Sequence, residues 1–91
     1  MYPIIVCEDD AAQLEQLHTL IKNYILFHSN LFKIELTANN PDDVLLYLEK
    51  NEPENGIYFL DIDLQNKIDG IQLAQEIRKV DVQAKIIFVS R

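Results

Sequence analysis

Two kinds of hydrophobic pattern alternate along the chain. Short apolar runs occupy residues 3–7 (Pro-Ile-Ile-Val-Cys), 57–60 running into Asp61, and most of 84–89, chiefly Ile-Ile-Phe-Val. Their length and their content of branched and aromatic residues predict sheet-core strands, covered on both faces. Residues 32–37 instead alternate apolar with polar, which predicts a half-exposed strand near an edge. Between the strands, apolar residues recur three and four positions apart. Leu14, Leu17, Ile21, Tyr24, Ile25 and His28 form one stripe of a helix expected from Ala11 to about His28, with Asp10 as its N-cap. Asn39-Asn40-Pro41-Asp42-Asp43 starts a second helix by capping residue, proline and first-turn acids. Asp69-Gly70 opens a third, with Ile71, Leu73, Ala74 and Ile77 inside and Arg78-Lys79 at its carboxyl end. Residues 62–69 between them read as loop.

The order β-α-β-α-β-α-β implies right-handed crossovers and a parallel sheet with helices on both faces. The fold class is α/β, a doubly wound parallel sheet. Because the last run is wholly apolar, its strand is expected to be internal. The chain stops directly after it, so the sheet reads as cut short.

Acids stand at the carboxyl ends of two predicted strands. Glu8 and Asp9 end the first, and Asp61 ends the third. An acid inside a buried strand costs several kcal/mol unless paired, on the order of 2–7 kcal/mol for a polar group. At the carboxyl end it faces the crevice where open α/β sheets bind ligands. If the two strands are neighbours, the three carboxylates lie close, and repulsion favours a proton or a cation among them. Oxygen-only ligands in that number favour Mg²⁺ or a similar hard ion. A carboxylate so placed can accept a phosphoryl group, and Ser90, ending the fourth strand, could hydrogen-bond a phosphoryl oxygen. The plainer alternative is that Glu8, Asp9 and Asp10 only favour a helix N-terminus, while Asp61 and Asp63 are solvated loop acids.

Composition narrows the partners. The chain has 91 residues, enough for one small domain, and a formal net charge of −7. That charge argues against direct binding of nucleic acid or an anionic membrane. The N-terminus lacks the basic region of a signal peptide, and no stretch is apolar enough to span a bilayer. The single Cys7 is expected to be a small buried residue in a reducing compartment, the cytoplasm. The two glycines, Gly56 and Gly70, make no phosphate-binding loop. His18 and His28 lack metal-ligand partners.

Taken together, Val6-Cys7-Glu8-Asp9-Asp10, Tyr58-Phe59-Leu60-Asp61-Ile62-Asp63-Leu64, Asp69-Gly70-Ile71 and Ile86-Ile87-Phe88-Val89-Ser90 resemble receiver domains of bacterial two-component response regulators. The accessory-gene-regulator type, with a LytTR DNA-binding domain, is the nearest in flavour. The resemblance spans the whole chain in the family's order. It implies a flavodoxin-like sheet of order 2-1-3-4, truncated before the fifth strand. It also implies Asp61 as phosphoacceptor for a sensor histidine kinase, and Mg²⁺ held by Glu8, Asp9, Asp61 and the backbone carbonyl of Asp63. Ser90 would be the switch hydroxyl. The implied role is transcriptional control in peptide quorum sensing, with DNA contacted only through a C-terminal domain beyond residues 1–91.

Several features depart from the family. The first acid is Glu where many receivers have Asp. The loop after Asp61 lacks a common proline and is one residue longer than in many receivers. The fifth strand with its active-site lysine is missing, and Lys85 precedes the fourth strand and cannot replace it. The chain is therefore expected to be a fragment, able to form a homodimer through the exposed last strand. Two other readings remain. One is a non-catalytic interaction module. The other is a Mg²⁺-dependent aspartyl-phosphate phosphatase of the haloacid dehalogenase kind, on the strength of Asp61-Ile62-Asp63, although that motif normally lies on a first strand.

Overall fold

A computed structural model of the chain describes residues 1–28 and 30–89. The elements follow in the order β1 (Tyr2–Cys7), α1 (Ala11–Leu26), β2 (Phe32–Ala38), α2 (Pro41–Asn51), β3 (Ile57–Asp61), α3 (Gly70–Val80) and β4 (Lys85–Val89). All strand pairs are parallel, and the sheet order is β2-β1-β3-β4. β1 and β3 are the inner strands. That arrangement explains why their runs are apolar on both faces, whereas β2 alternates along an edge. Opposite β1, the register of β2 skips Glu35 (Ile4 faces Ile34, Ile5 faces Leu36), a bulge that leaves the alternation of buried and exposed residues intact.

The two faces of the sheet have separate cores. Ile5, Cys7, Tyr58 and Leu60 point to one face and pack with Val44 and Leu48 of α2 and Leu73 and Ile77 of α3. Ile4 and Val6 point to the other and meet Ile21 of α1, with Leu14, Leu17 and Ile25 around it. At about 25 cal/mol per Å² of apolar surface removed from water, these clusters supply the main stabilising term.

Two expectations need correction. β4 is an edge strand among the described residues, paired to β3 alone, and Ile87 and Phe88 are 43% and 40% exposed. Its apolar run therefore does not make it internal here. Nor does the α1 stripe extend to His28. The helix stops at Leu26, where the N–H groups of Phe27 and His28 turn to the carbonyls three residues back. Tyr24 and His28 lie outside the core, stacked on one another with ring centroids 4.4 Å apart. His28 lies beyond the last helical residue, so the three-and-four spacing no longer sets the direction of its side chain, and Tyr24 stands at the rim of the stripe in the last turn.

The caps are as the sequence predicts. Asp10 accepts from the N–H groups of Ala12 and Gln13, and Asn40 from that of Asp43. Asp69 and Gln72 form a reciprocal capping box at the start of α3.

A carboxylate cluster at the carboxyl edge of the sheet

The register brings Glu8 and Asp61 together. Cys7 lies opposite Leu60 on the paired inner strands, so the next residue of each chain reaches the same level at the end of the sheet. Asp9 follows as β1 gives way to α1. Glu8, Asp9 and Asp61 each offer a carboxylate oxygen, and the three atoms lie within 4.8 Å of one another. Glu8 and Asp61 are buried, and Asp9 is half-buried.

Backbone amides hold these carboxylates in place. The Asp10 N–H donates to Glu8 Oε2 at 3.1 Å, and the Asp63 N–H to Asp61 Oδ1 at 3.0 Å. From the β3–α3 loop, the Gln65 N–H donates to Asp9 Oδ2 at 3.0 Å. Such charge-assisted bonds fix the direction of the remaining lone pairs. The field of the cluster is felt beneath it. Burial, reinforced by the charges of Asp9 and Glu8, pushes the Cys7 thiol up to about 12. Cys7 is thus a buried, inert thiol, as expected from its place in β1.

Hard-cation chemistry fits this donor set. Cis and trans oxygens around an octahedral Mg²⁺ are about 3 and 4 Å apart, from metal–oxygen distances near 2.1 Å. A group spanning 4.8 Å needs only a sub-ångström closure to reach that spacing. No histidine or cysteine joins the cluster among the described residues, so softer metals have no favoured ligand. Asp10 is the cap of α1 and not a member. Asp63 is exposed, with its N–H on Asp61. Ser90 lies outside the described residues. Lys85 begins β4 opposite Ile57, at the far end of the strand from Asp61.

One contribution has no signature among neighbouring residues. Gly70 packs its Cα against the backbone of Asp61, and a Cβ there would lie 2.1 Å from the Asp61 carbonyl oxygen. The Gly70 N–H donates to Ile62 O at 3.0 Å. Glycine is therefore required for α3 to start against the end of β3. Its φ is not positive, so the requirement is close approach and not backbone conformation. A helix-opening Asp-Gly pair reads equally well as a turn, and nothing local reveals the approach.

Comparison with known proteins agrees with this geometry. The family model for the response regulator receiver domain matches residues 4–91. The chain belongs to the response regulator receiver domain family. Accessory gene regulator protein A of Staphylococcus aureus is 47% identical over 87 residues, and its counterpart in Staphylococcus epidermidis is 45% identical over 89. Each match covers 96% of this chain but 36% of the relative, so the chain spans about a third of the length of those regulators. Among solved structures, the response regulator TrrA of Thermotoga maritima in complex with Mg²⁺-BeF superposes with a TM-score of 0.73 at 27% identity, covering 99% of this chain and 70% of that one. The signal receiver domain of a modulated diguanylate cyclase from Desulfovibrio desulfuricans G20 shares the fold, with a TM-score of 0.76 at 18% identity, covering 100% of this chain and 66% of the other. The receiver fold of order 2-1-3-4 expected from the sequence is the fold observed.

Proposed function

We propose that this receiver accepts a phosphoryl group on Asp61 from a sensor histidine kinase, with Mg²⁺ held by Glu8, Asp9, Asp61 and the backbone carbonyl of Asp63. The observation that carries the reading is the convergence of three carboxylate oxygens within 4.8 Å at the ends of β1 and β3. It is supported by a relative, TrrA, that was crystallised with Mg²⁺-BeF.

In the transfer, an Asp61 carboxylate oxygen attacks the phosphorus of a phosphohistidine. The P–O bond forms as the P–N bond breaks, and the released imidazole takes up a proton. A bound Mg²⁺ supplies neutralising charge for the phosphoryl oxygens. Glu8 and Asp9 would hold the cation beside Asp61, and the Asp63 N–H orients the Asp61 carboxylate. Ser90 would then hydrogen-bond the phosphoryl group and pass on the signal. The chain acts as a phosphoryl acceptor that loses the group by self-hydrolysis, and not as an enzyme with a separate substrate.

In the same reading the parent protein is a cytoplasmic transcription regulator, working in peptide quorum sensing through a C-terminal LytTR domain. The likeness to the staphylococcal accessory gene regulators supports that assignment. No described helix is long and apolar enough to cross a membrane. Self-association of this chain through β4, with Ile87 and Phe88 partly exposed, belongs to the same proposal. A monomer in light scattering at high concentration counts against it.

Intact mass after incubation with Mg²⁺ and a small phosphodonor tests the central claim. One phosphoryl adduct is expected on the wild-type chain and none on Asp61→Asn. An adduct that persists in Asp61→Asn would refute the assignment.

A further inference from the structure

The β3–α3 loop, residues 62–69, is more than a connection. Its polar residues Gln65, Asn66 and Lys67 face solvent, but Leu64 is only 5% exposed and joins the core cluster that contains Leu60, Leu73 and Ile77. Ile68 packs against the same cluster from further along the loop. The residues on either side of Leu64 are those whose backbone N–H groups reach the carboxylates. Asp63 donates to Asp61 Oδ1 and Gln65 to Asp9 Oδ2, both at 3.0 Å. The Asn66 N–H closes the turn on the Leu64 carbonyl at 2.9 Å.

We propose that Leu64 is a positioning residue: its buried side chain pins the loop so that the amides flanking it aim the carboxylates of Asp61 and Asp9 at a common cation. This rests on the Mg²⁺ and phosphoacceptor reading given above.

The physical basis is a division of labour within three consecutive residues. Backbone amides orient a carboxylate only if the backbone itself is held, and an exposed loop has little to hold it. One buried leucine supplies that restraint, because withdrawing it from the core would return its apolar side chain to water. The two bonds come from residues two apart and reach acids at the carboxyl ends of two different strands, Asp61 ending β3 and Asp9 just past β1. A shift of the loop therefore disturbs both acids at once. Outer-shell groups that orient metal ligands typically change metal affinity tenfold or more when lost.

Leu64→Ala is the test, with Leu48→Ala as its matched control. Leu48 is 3% exposed in the same core cluster but belongs to α2 and donates nothing to the site. Two quantities are read on each chain: the Mg²⁺ dissociation constant, and the hydrogen exchange of the Asp63 and Gln65 amides without metal. Leu64→Ala is expected to weaken Mg²⁺ binding about tenfold and to speed exchange at both amides. Leu48→Ala is expected to lower global stability while leaving both readings at wild type, and Leu64→Met to restore them. If Leu64→Ala does not fold, Leu64→Val is read on the same two scales.

A Leu64→Ala chain with Mg²⁺ affinity within twofold of wild type, or two alanine variants that shift alike, overturns the proposal. If the wild-type chain takes up neither Mg²⁺ nor phosphate, the phosphoacceptor reading is what fails. Exchange at Asp63 and Gln65 then still decides whether Leu64 pins the loop.

Discussion

Asp81 is buried at 2% exposure with no cation beside it among the described residues. It sits at the opposite pole of the sheet from the carboxylate cluster. There it accepts from the N–H groups of Asn55 and Gly56, at 2.9 and 2.7 Å, and from the Tyr58 hydroxyl at 3.3 Å. Asp81→Ala strips the acceptor from the Gly56 N–H and the Tyr58 hydroxyl, which remain buried, so a loss of about 3 kcal/mol is expected in urea denaturation. Mg²⁺ affinity should stay within twofold of wild type, because the two carboxylate centres are at different ends of the strands. Cys7 gives a prediction in pH. Its thiol is held neutral in the folded state to about 12, against an ordinary value of 9.0. The folded chain thus keeps a proton that the unfolded chain sheds above about pH 9. The stability from this group is complete below pH 9 and is lost as pH rises from there towards 12. Tyr58, also pushed up by burial and then by the Asp81 charge, acts in the same direction. Urea midpoints across pH 8–11 should fall, and Cys7→Ala should fall less steeply above pH 9.

Among the elements, α3 is the one whose placement the site depends on most. It starts where Gly70 meets Asp61, and it is fixed there by the Asp69–Gln72 capping box. At its other end Arg78 donates to the carbonyls of Val82 and Ala84, at 3.0 and 2.7 Å, clasping the turn into β4. The basic end of the helix thus has a specific contact besides its favourable interaction with the helix dipole. Asp69→Ala removes one cap, and a loss of about 1 kcal/mol is expected in thermal or urea unfolding. Gly70→Ala is expected to be worse, since its Cβ collides with backbone and cannot be accommodated by a side-chain rotation. It should displace the end of β3 and lower Mg²⁺ affinity as well as stability. Gly56→Ala is the useful contrast. Its Cβ would meet the Tyr58 ring and the Asp81 carboxylate, far from the cluster, so only stability should suffer.

At the scale of the whole molecule, a net charge of −7 and three converging carboxylates make the folded chain a strained electrostatic object. A divalent cation should relieve that strain. A ligand that binds only the folded state stabilises it by about 2.7 kcal/mol at a hundred times its dissociation constant. The melting temperature is therefore expected to rise on adding Mg²⁺ at low ionic strength and to return on chelation. Asp9→Asn should abolish most of the shift. The gain should shrink with added salt, because screening weakens both the repulsion and the attraction.

Much of this was present in the order of residues. The periods of the apolar positions set the strands and helices, the capping residues set three helix starts, and acids at the ends of two apolar runs marked the site. These are local signals, carried by neighbours three or four positions apart. Which strands adjoin is a matter of long-range pairing, and only the tertiary structure placed Glu8 level with Asp61. It also decided what Gly70, Leu64 and Asp81 do. Gly70 is defined by a carbonyl eight to nine residues away, Leu64 by the core it enters, and Asp81 by amides 25 and 26 positions earlier. A contact across such distances leaves no periodicity in the chain, because it depends on where two segments meet and not on what either one is.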